Sequence, residues 1–289
     1  MKPNNSAATM HRGSHFFFGD TTALKFRLFE QALALATLLR LAVPFFHSSE
    51  WLTASGFHLN QSERGALMPH AVPVVPPMLV PMVGFAILAA TLSVLTKEGA
   101  RWAHAVLAIL CIYFFHLDPV SAGAGDVLCI VGWLVLVSAP PRSFGLDGQS
   151  RISIVSIRIL QITLTLFFIR RAVDLSLFGG WLTNWQTLWS LAQGPERTGV
   201  TAWMLRNLPQ GLWSVIQGLW LAAQIALPIC IWFKPVRQKA LVLAGFSGLL
   251  MIAFFPGHWQ EVIFIAAYLI LFADSAGLKR ALDPIFSRR

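Results

Sequence analysis

His258 and Glu261 stand three residues apart, the spacing that brings two side chains to one face of a helical turn. An imidazole held by a carboxylate can take a proton from a bound molecule, because the carboxylate orients the ring and stabilises its charged form. The competing reading is a polar cap over the apolar segments on either side. A second pair, Asp118 and Asp126, flanks a short run containing Pro119, Ser121, Gly123, Ala124 and Gly125. Its carboxylates could face a cation or an arginine across a turn, or Asp126 could simply cap the helix that follows. His116 precedes Asp118 by two residues, so those two would meet only if the chain folded back. His258, Glu261, Asp118 and Asp126 are thus the candidate catalytic groups. A zinc site would need third and fourth ligands at regular spacing, and none is visible. No cofactor motif is visible either, and the cofactor stays unassigned.

The arginines pose a different question. Arg40 lies deep within an apolar run. A charge at the centre of a membrane span costs about 2.5–3.5 kcal/mol on insertion scales, so such a residue faces a partner or a water-filled cavity. Asp126, Asp174 and Glu261 are the carboxylates open to it, or Glu30 if the span is displaced. Arg158 sits nearer a run's end, where its stem can snorkel. Arg170–Arg171 close another apolar run and are followed by Asp174, Gly179–Gly180 and then Trp181, Trp185 and Trp189. The three indoles are spaced i, i+4, i+8 and would line one side of a helix. They suit the headgroup level of a membrane, or the wall of a site for a quinone or an apolar peptide. Arg40, Arg170, Arg171, Asp174, Trp181 and Trp185 are therefore the candidate cavity residues. Gln161, Gln217 and Gln224, inside apolar runs, read as hydrogen-bond links between helices.

The elements that must position these groups are apolar. Of 289 residues, 56% are hydrophobic, 12% are charged and 11 are tryptophan, a profile that excludes an ordinary soluble domain. Apolar runs fall at about 28–46, 78–95, 103–117, 127–139, 154–169, 212–233, 240–255 and 262–274. A membrane helix needs roughly 20 residues, so the shorter runs must borrow their flanks, and 240–274 could also be one re-entrant hairpin. The expectation is an all-α, polytopic bundle of about eight transmembrane helices with an interfacial helical segment at 173–211. Residues 1–23 read as a polar tail, 24–275 as one transmembrane domain and 276–289 as a basic tail. No apolar stretch with a cleavage site is visible in the first 27 residues, so no removable signal peptide is expected.

Charge supplies the orientation. With eight spans, the tails and even loops carry 15 of the 22 lysines and arginines and the odd loops carry 5. That asymmetry places both termini in the cytoplasm of a multi-pass cell-membrane protein. The net charge of +9 is scattered between apolar runs rather than gathered on one face, which argues against a nucleic-acid partner. The outer side then receives Glu50, Trp51, His58, His70, Asp118, Asp126, the 170–211 connection, His258 and Glu261. Cys111, Cys129 and Cys230 all lie in apolar runs without CxxC spacing and read as small buried hydrophobes.

Three stretches resemble one known family. RILQITLTLFFIRRAVDLSLFGGWLTNWQTLW (158–189) is similar to a pattern of arginine, apolar span, polar turn, and tryptophan before a glycine-containing helix. DPVSAGAGDVLCIVGWLVLVSAP (118–140) is similar to a small-residue turn with Asp before a span, and FFPGHWQEVIFIAAYLILFAD (254–274) to a late His before an apolar run. Together with Arg40 they resemble the horizontally transferred transmembrane (HTTM) family, the membrane module shared with vitamin K-dependent γ-carboxylases. The resemblance implies a membrane fold with an outward-facing polar site. It does not imply the carboxylase reaction. Those enzymes place a lysine base before the tryptophan, whereas no lysine occurs here between Lys97 and Lys234. Arg170 and Arg171 cannot replace it, because a guanidinium has no lone pair to accept a proton. The carboxylases' extramembrane domain is also not expected, since few residues follow the last apolar run.

Two functional classes stay open on this reading. One is a membrane-embedded enzyme or maturation factor acting on a lipid-soluble molecule or a secreted peptide. The other is a non-catalytic accessory or immunity-type partner of another membrane protein.

Overall fold

The computed structural model describes residues 20–54, 72–96, 101–117, 123–139, 151–195, 197–275 and 277–278. Asp118, His58, His70 and most of both tails lie outside them. Ten α-helices follow in order: α1 (Ala23–Phe46), α2 (Val80–Thr96), α3 (Arg101–Leu117), α4 (Ala124–Ser138), α5 (Ile154–Val173), α6 (Thr187–Ala192), α7 (Gly199–Asn207), α8 (Gln210–Cys230), α9 (Lys234–Phe254) and α10 (Trp259–Leu269). A further single turn spans Ser48–Trp51. Each of the eight apolar runs coincides with one of the longer helices, and the 170–211 connection contains the short α6 and α7. Two three-residue strands, β1 (Asp20–Thr22) and β2 (Arg151–Ser153), pair antiparallel, with Thr21 opposite Ile152. Strand β1 thus lies within the stretch that composition assigns to the tail.

Local chemistry sets several helix starts. Pro77 begins the 3₁₀ turn leading into α2, and Pro235 occupies the first turn of α9, positions where a missing N–H costs nothing. Thr198 caps α7, its hydroxyl accepting from the Thr201 N–H at 3.2 Å. A carboxylate caps α4, with Asp126 accepting from the Gly123 N–H at 2.9 Å.

Three helical segments, Pro77–Thr96, Gln210–Cys230 and Lys234–Phe254, are long and apolar enough to cross a membrane. The outer faces of two of them, α2 and α9, are apolar, unlike those of a soluble helix. On α2, Gly84, Ala90, Thr91 and Ser93 point inward, while Met82, Phe85, Leu88 and Leu92 point out and Phe85 is 73% exposed. On α9, Ala240, Ala244 and Ser247 are buried, whereas Val242, Phe246 and Leu249 are exposed. Large apolar side chains outside, with Gly, Ala, Ser and Thr among the buried residues, suit a lipid surround. In water the same exposed stripes would be an aggregation liability.

The chain divides into two compact units, residues 1–160 with 278–289, and residues 161–277. In the first, α1 to α4 pack around Phe26, Phe29, Leu33, Leu107, Leu128 and Trp133, all essentially fully buried. In the second, α8 and α9 pack against each other and against α6 and α10. Its core gathers Trp181, Leu188, Trp213, Trp220, Leu221, Met251 and Phe254.

Candidate functional site

The second unit holds a cavity of about 200 Å³ lined by Arg171, Leu175, Trp181, Leu191, Trp220, Met251, Phe255 and His258. Its wall is apolar except at one corner, where α5, α9 and α10 meet. There Arg171 donates through Nη1 to Glu261 Oε1. His258 Nδ1 lies 3.3 Å from Glu261 Oε2. Glu261 is thus shared by a cation and an imidazole, and only 12% of its side chain is exposed against 55% for His258. The group runs from the surface inward, with the imidazole at the exposed end. His258 closes the Pro256–His258 turn and Glu261 occupies the first turn of α10, so the spacing of three works as the sequence suggested.

Arg171 is poorly used by its surroundings. Its Nη2 donates to the Met251 sulfur at 2.9 Å, and a thioether is a weak acceptor. Its Nε is buried with no hydrogen-bond partner among the described residues. An arginine at an apolar cavity with two badly matched donors is an opening for an acceptor oxygen. Neighbouring Arg170 differs: it meets Asp174 at 3.5 Å with 74% of its side chain exposed, and such surface pairs contribute little. Of the double arginine, Arg171 alone lines the cavity, so Arg170 and Asp174 do not belong to it.

The tryptophan row is corrected by the structure. After α5 the backbone widens into a π turn at Asp174–Phe178 and reverses at Gly180, whose φ of 70° is a left-handed value that favours glycine. Residues 181–186 form turns, and helix resumes only at Thr187. Trp181, Trp185 and Trp189 therefore share no helix face. Trp181 turns inward, 4% exposed, with its ring edge-on to Trp220 at 6.0 Å. Trp185 is half exposed and lines no part of the cavity.

Gln217 of α8 holds this loop in place. Its Nε2 donates to the Trp181 and Asn184 carbonyls, both at 2.9 Å, and its Oε1 accepts from the Leu188 N–H at 2.9 Å. The residue is fully buried. Gln224 likewise donates to Ser247 Oγ at 3.0 Å, and Gln161 to the Leu271 carbonyl at 2.8 Å. All three glutamines are helix links, and Gln217 also shapes the cavity by fixing Trp181.

Arg40 is paired within the first unit. Its Nε reaches Asp126 Oδ1 at 2.9 Å and its Nη2 reaches Oδ2 at 3.4 Å, a two-pronged contact between α1 and α4. Of the carboxylates open to it, Asp126 is the partner. Asp126 therefore does two jobs, capping α4 and neutralising Arg40.

Sequence reasoning missed a second buried cluster in this unit. Glu30 Oε2 accepts from Arg27 Nη1 at 2.8 Å, and Glu30 Oε1 lies 2.5 Å from His104 Nε2. Glu30 is 1% and His104 4% exposed. The pair is separated by 74 residues, so no short spacing reveals it; only the rarity of ionisable residues in apolar runs could. It also missed a thiol pair, Cys111 and Cys129, whose sulfurs are 3.3 Å apart. Among the described residues, no three His, Cys, Asp or Glu side chains gather as a metal site would require.

Compared with known proteins, the chain matches no protein-family model, no curated sequence and no solved structure.

Proposed function

We propose that this is a polytopic membrane protein whose second unit binds a lipid-soluble molecule in an outward-facing pocket, with His258 acting there as a base held by Glu261. In this reading all eight long helices cross the bilayer, both termini are cytoplasmic, and the fold belongs with the HTTM modules that its sequence resembles. The single observation carrying the reading is the cavity beside α5, α9 and α10, in which Arg171 and His258, joined through Glu261 behind them, form the one polar corner of an otherwise apolar wall. Small apolar pockets with a few convergent polar groups are the usual form of a ligand site. A volume of about 200 Å³ suits part of a small molecule better than a folded peptide, which favours the lipid-soluble substrate.

The division of labour follows from the contacts. Glu261 orients the imidazole through the Nδ1 contact. Arg171 pairs with Glu261 and offers its unmatched donors to an oxygen of the bound molecule. Trp181 and Trp220 supply the apolar wall. The chemistry proposed for His258 is proton removal or water activation.

Orientation can be tested by labelling. In a cysteine-free background, His258→Cys should react with a membrane-impermeant maleimide on intact cells, and Lys239→Cys at the other end of α9 should react only after permeabilisation. Reaction of both from the same side overturns the outward-facing site.

A further inference from the structure

We propose that Cys111 and Cys129 are a reversible dithiol–disulfide pair inside the first unit, oxidised by a quinone-class two-electron acceptor dissolved in the surrounding apolar phase. This does not rest on the pocket of the second unit. The chain has three cysteines, and two of them, from different helices, place their sulfurs 3.3 Å apart with both residues buried. The approach is built by small residues. Gly125 and Gly132 are buried on α4, as are Ala103 and Ala108 on α3, which lets the two backbones come close.

The Cys129 sulfur is also held from the far side. It lies 3.3 Å from Thr37 Oγ1, and that hydroxyl accepts from Trp133 Nε1 at 2.9 Å. A disulfide has an S–S length of about 2.05 Å, so the sulfurs must close by about 1.3 Å, within reach of small χ1 rotations at both residues. Cys230, in the other unit, is not part of the arrangement.

The balance is simple. Two S–H bonds break and one S–S bond forms. Two electrons and two protons pass to the quinone oxygens, giving a hydroquinone. Burial sets the specificity of the oxidant. Glutathione and other water-borne disulfides cannot bring a sulfur into line with a thiol this enclosed, whereas a flat apolar acceptor partitions into the phase around the helices. The bond would tie α3 to α4 one turn from Asp126 and remove the thiol proton shared with Thr37.

The experiment uses membranes carrying the full chain with Cys230→Ser, treated with a decyl-substituted benzoquinone. The protein is then denatured in detergent and its free thiols are counted with a polymer-tagged maleimide. The expected result is two tagged thiols before oxidation, none after, and two again after phosphine reduction, with intact mass lower by two hydrogens in the oxidised form. The parent should fall from three tagged thiols to one, which covers the case in which Cys230→Ser does not fold. Oxidised protein should also melt higher than reduced protein. The proposal is overturned if both thiols stay reactive after oxidant. It is equally overturned if the mass rises by a quinone adduct, or if the thiols disappear only into covalent dimers.

Discussion

Replacing Arg40 by leucine should leave the Asp126 carboxylate enclosed without its counter-charge, and this is the sharpest stability test of the first unit. Arg40 sits six residues from the end of α1 at Phe46, roughly 9 Å along the helix axis. Its side chain is 11% and that of Asp126 14% exposed. Breaking a buried ion pair by removing one partner costs about 3–5 kcal/mol, mostly because the other charge is stranded. Asp126→Ala should be worse still, since it also removes the cap on Gly123, a further loss of about 1 kcal/mol. Asp126→Asn separates the two roles, because the amide oxygen can still accept from the Gly123 N–H. The double variant Arg40→Leu/Asp126→Asn strands no charge and should recover most of the loss. The assay is thermal unfolding in one mild detergent, where 3 kcal/mol corresponds to roughly 6–12 °C for a chain of this size. A coupling energy smaller than about 0.5 kcal/mol would show that the pair is not energetically joined. Parent-like melting of Arg40→Leu would refute the reasoning outright.

Other substitutions probe the second unit. Gln217→Leu removes three hydrogen bonds and strands the Trp181 carbonyl and the Leu188 N–H, while Asn184 keeps the Thr187 hydroxyl as a donor at 2.8 Å. At about 1–3 kcal/mol for each stranded group, the melting temperature should fall steeply, and Trp181 emission should shift to the red as the loop loosens. Gly180→Ala meets no atom closer than 3.8 Å, so its penalty is the backbone's alone, about 1–2 kcal/mol. Gly211→Ala, in helix with nothing within 4 Å, should instead be neutral or stabilising by up to about 1 kcal/mol in the same melts. Purified protein supplied with reduced vitamin K should form neither epoxide nor carboxylated peptide, because no lysine stands before Trp181; product above a heat-treated control contradicts that expectation.

Much of the fold could be read from apolar periodicity, because helix length and hydrophobicity are local properties. The depth of Arg40 announced a partner for the same reason: a cost at one position demands compensation somewhere. Which carboxylate supplies it depends on how α1 and α4 pack, so Asp126, Asp174 and Glu261 were equivalent until the tertiary structure separated them. The His258–Glu261 contact is local and was visible as a spacing. The tryptophan row failed because the widened turn and the left-handed Gly180 interrupt the helix that the spacing assumed. The pairings Glu30–His104 and Cys111–Cys129 were illegible, since neither segment alone says which distant helix it meets; only the presence of ionisable residues in apolar runs hinted at the first. Arg170 and Arg171 are neighbours in sequence but point to different environments, and rotation of about 100° per residue on α5 decides which one reaches the cavity.

The central claim, that the second unit binds an apolar molecule, is tested most directly by what the purified protein carries. The protein should be extracted with organic solvent and the extract compared by mass spectrometry with that of Leu191→Trp, which fills the cavity, and Arg171→Met, which removes its donor. A compound enriched in the parent at about one per chain, strongly depleted in both variants while each still elutes and melts as a folded protein, is the predicted result. Identical extracts from all three proteins, containing only bulk membrane lipid, would contradict it.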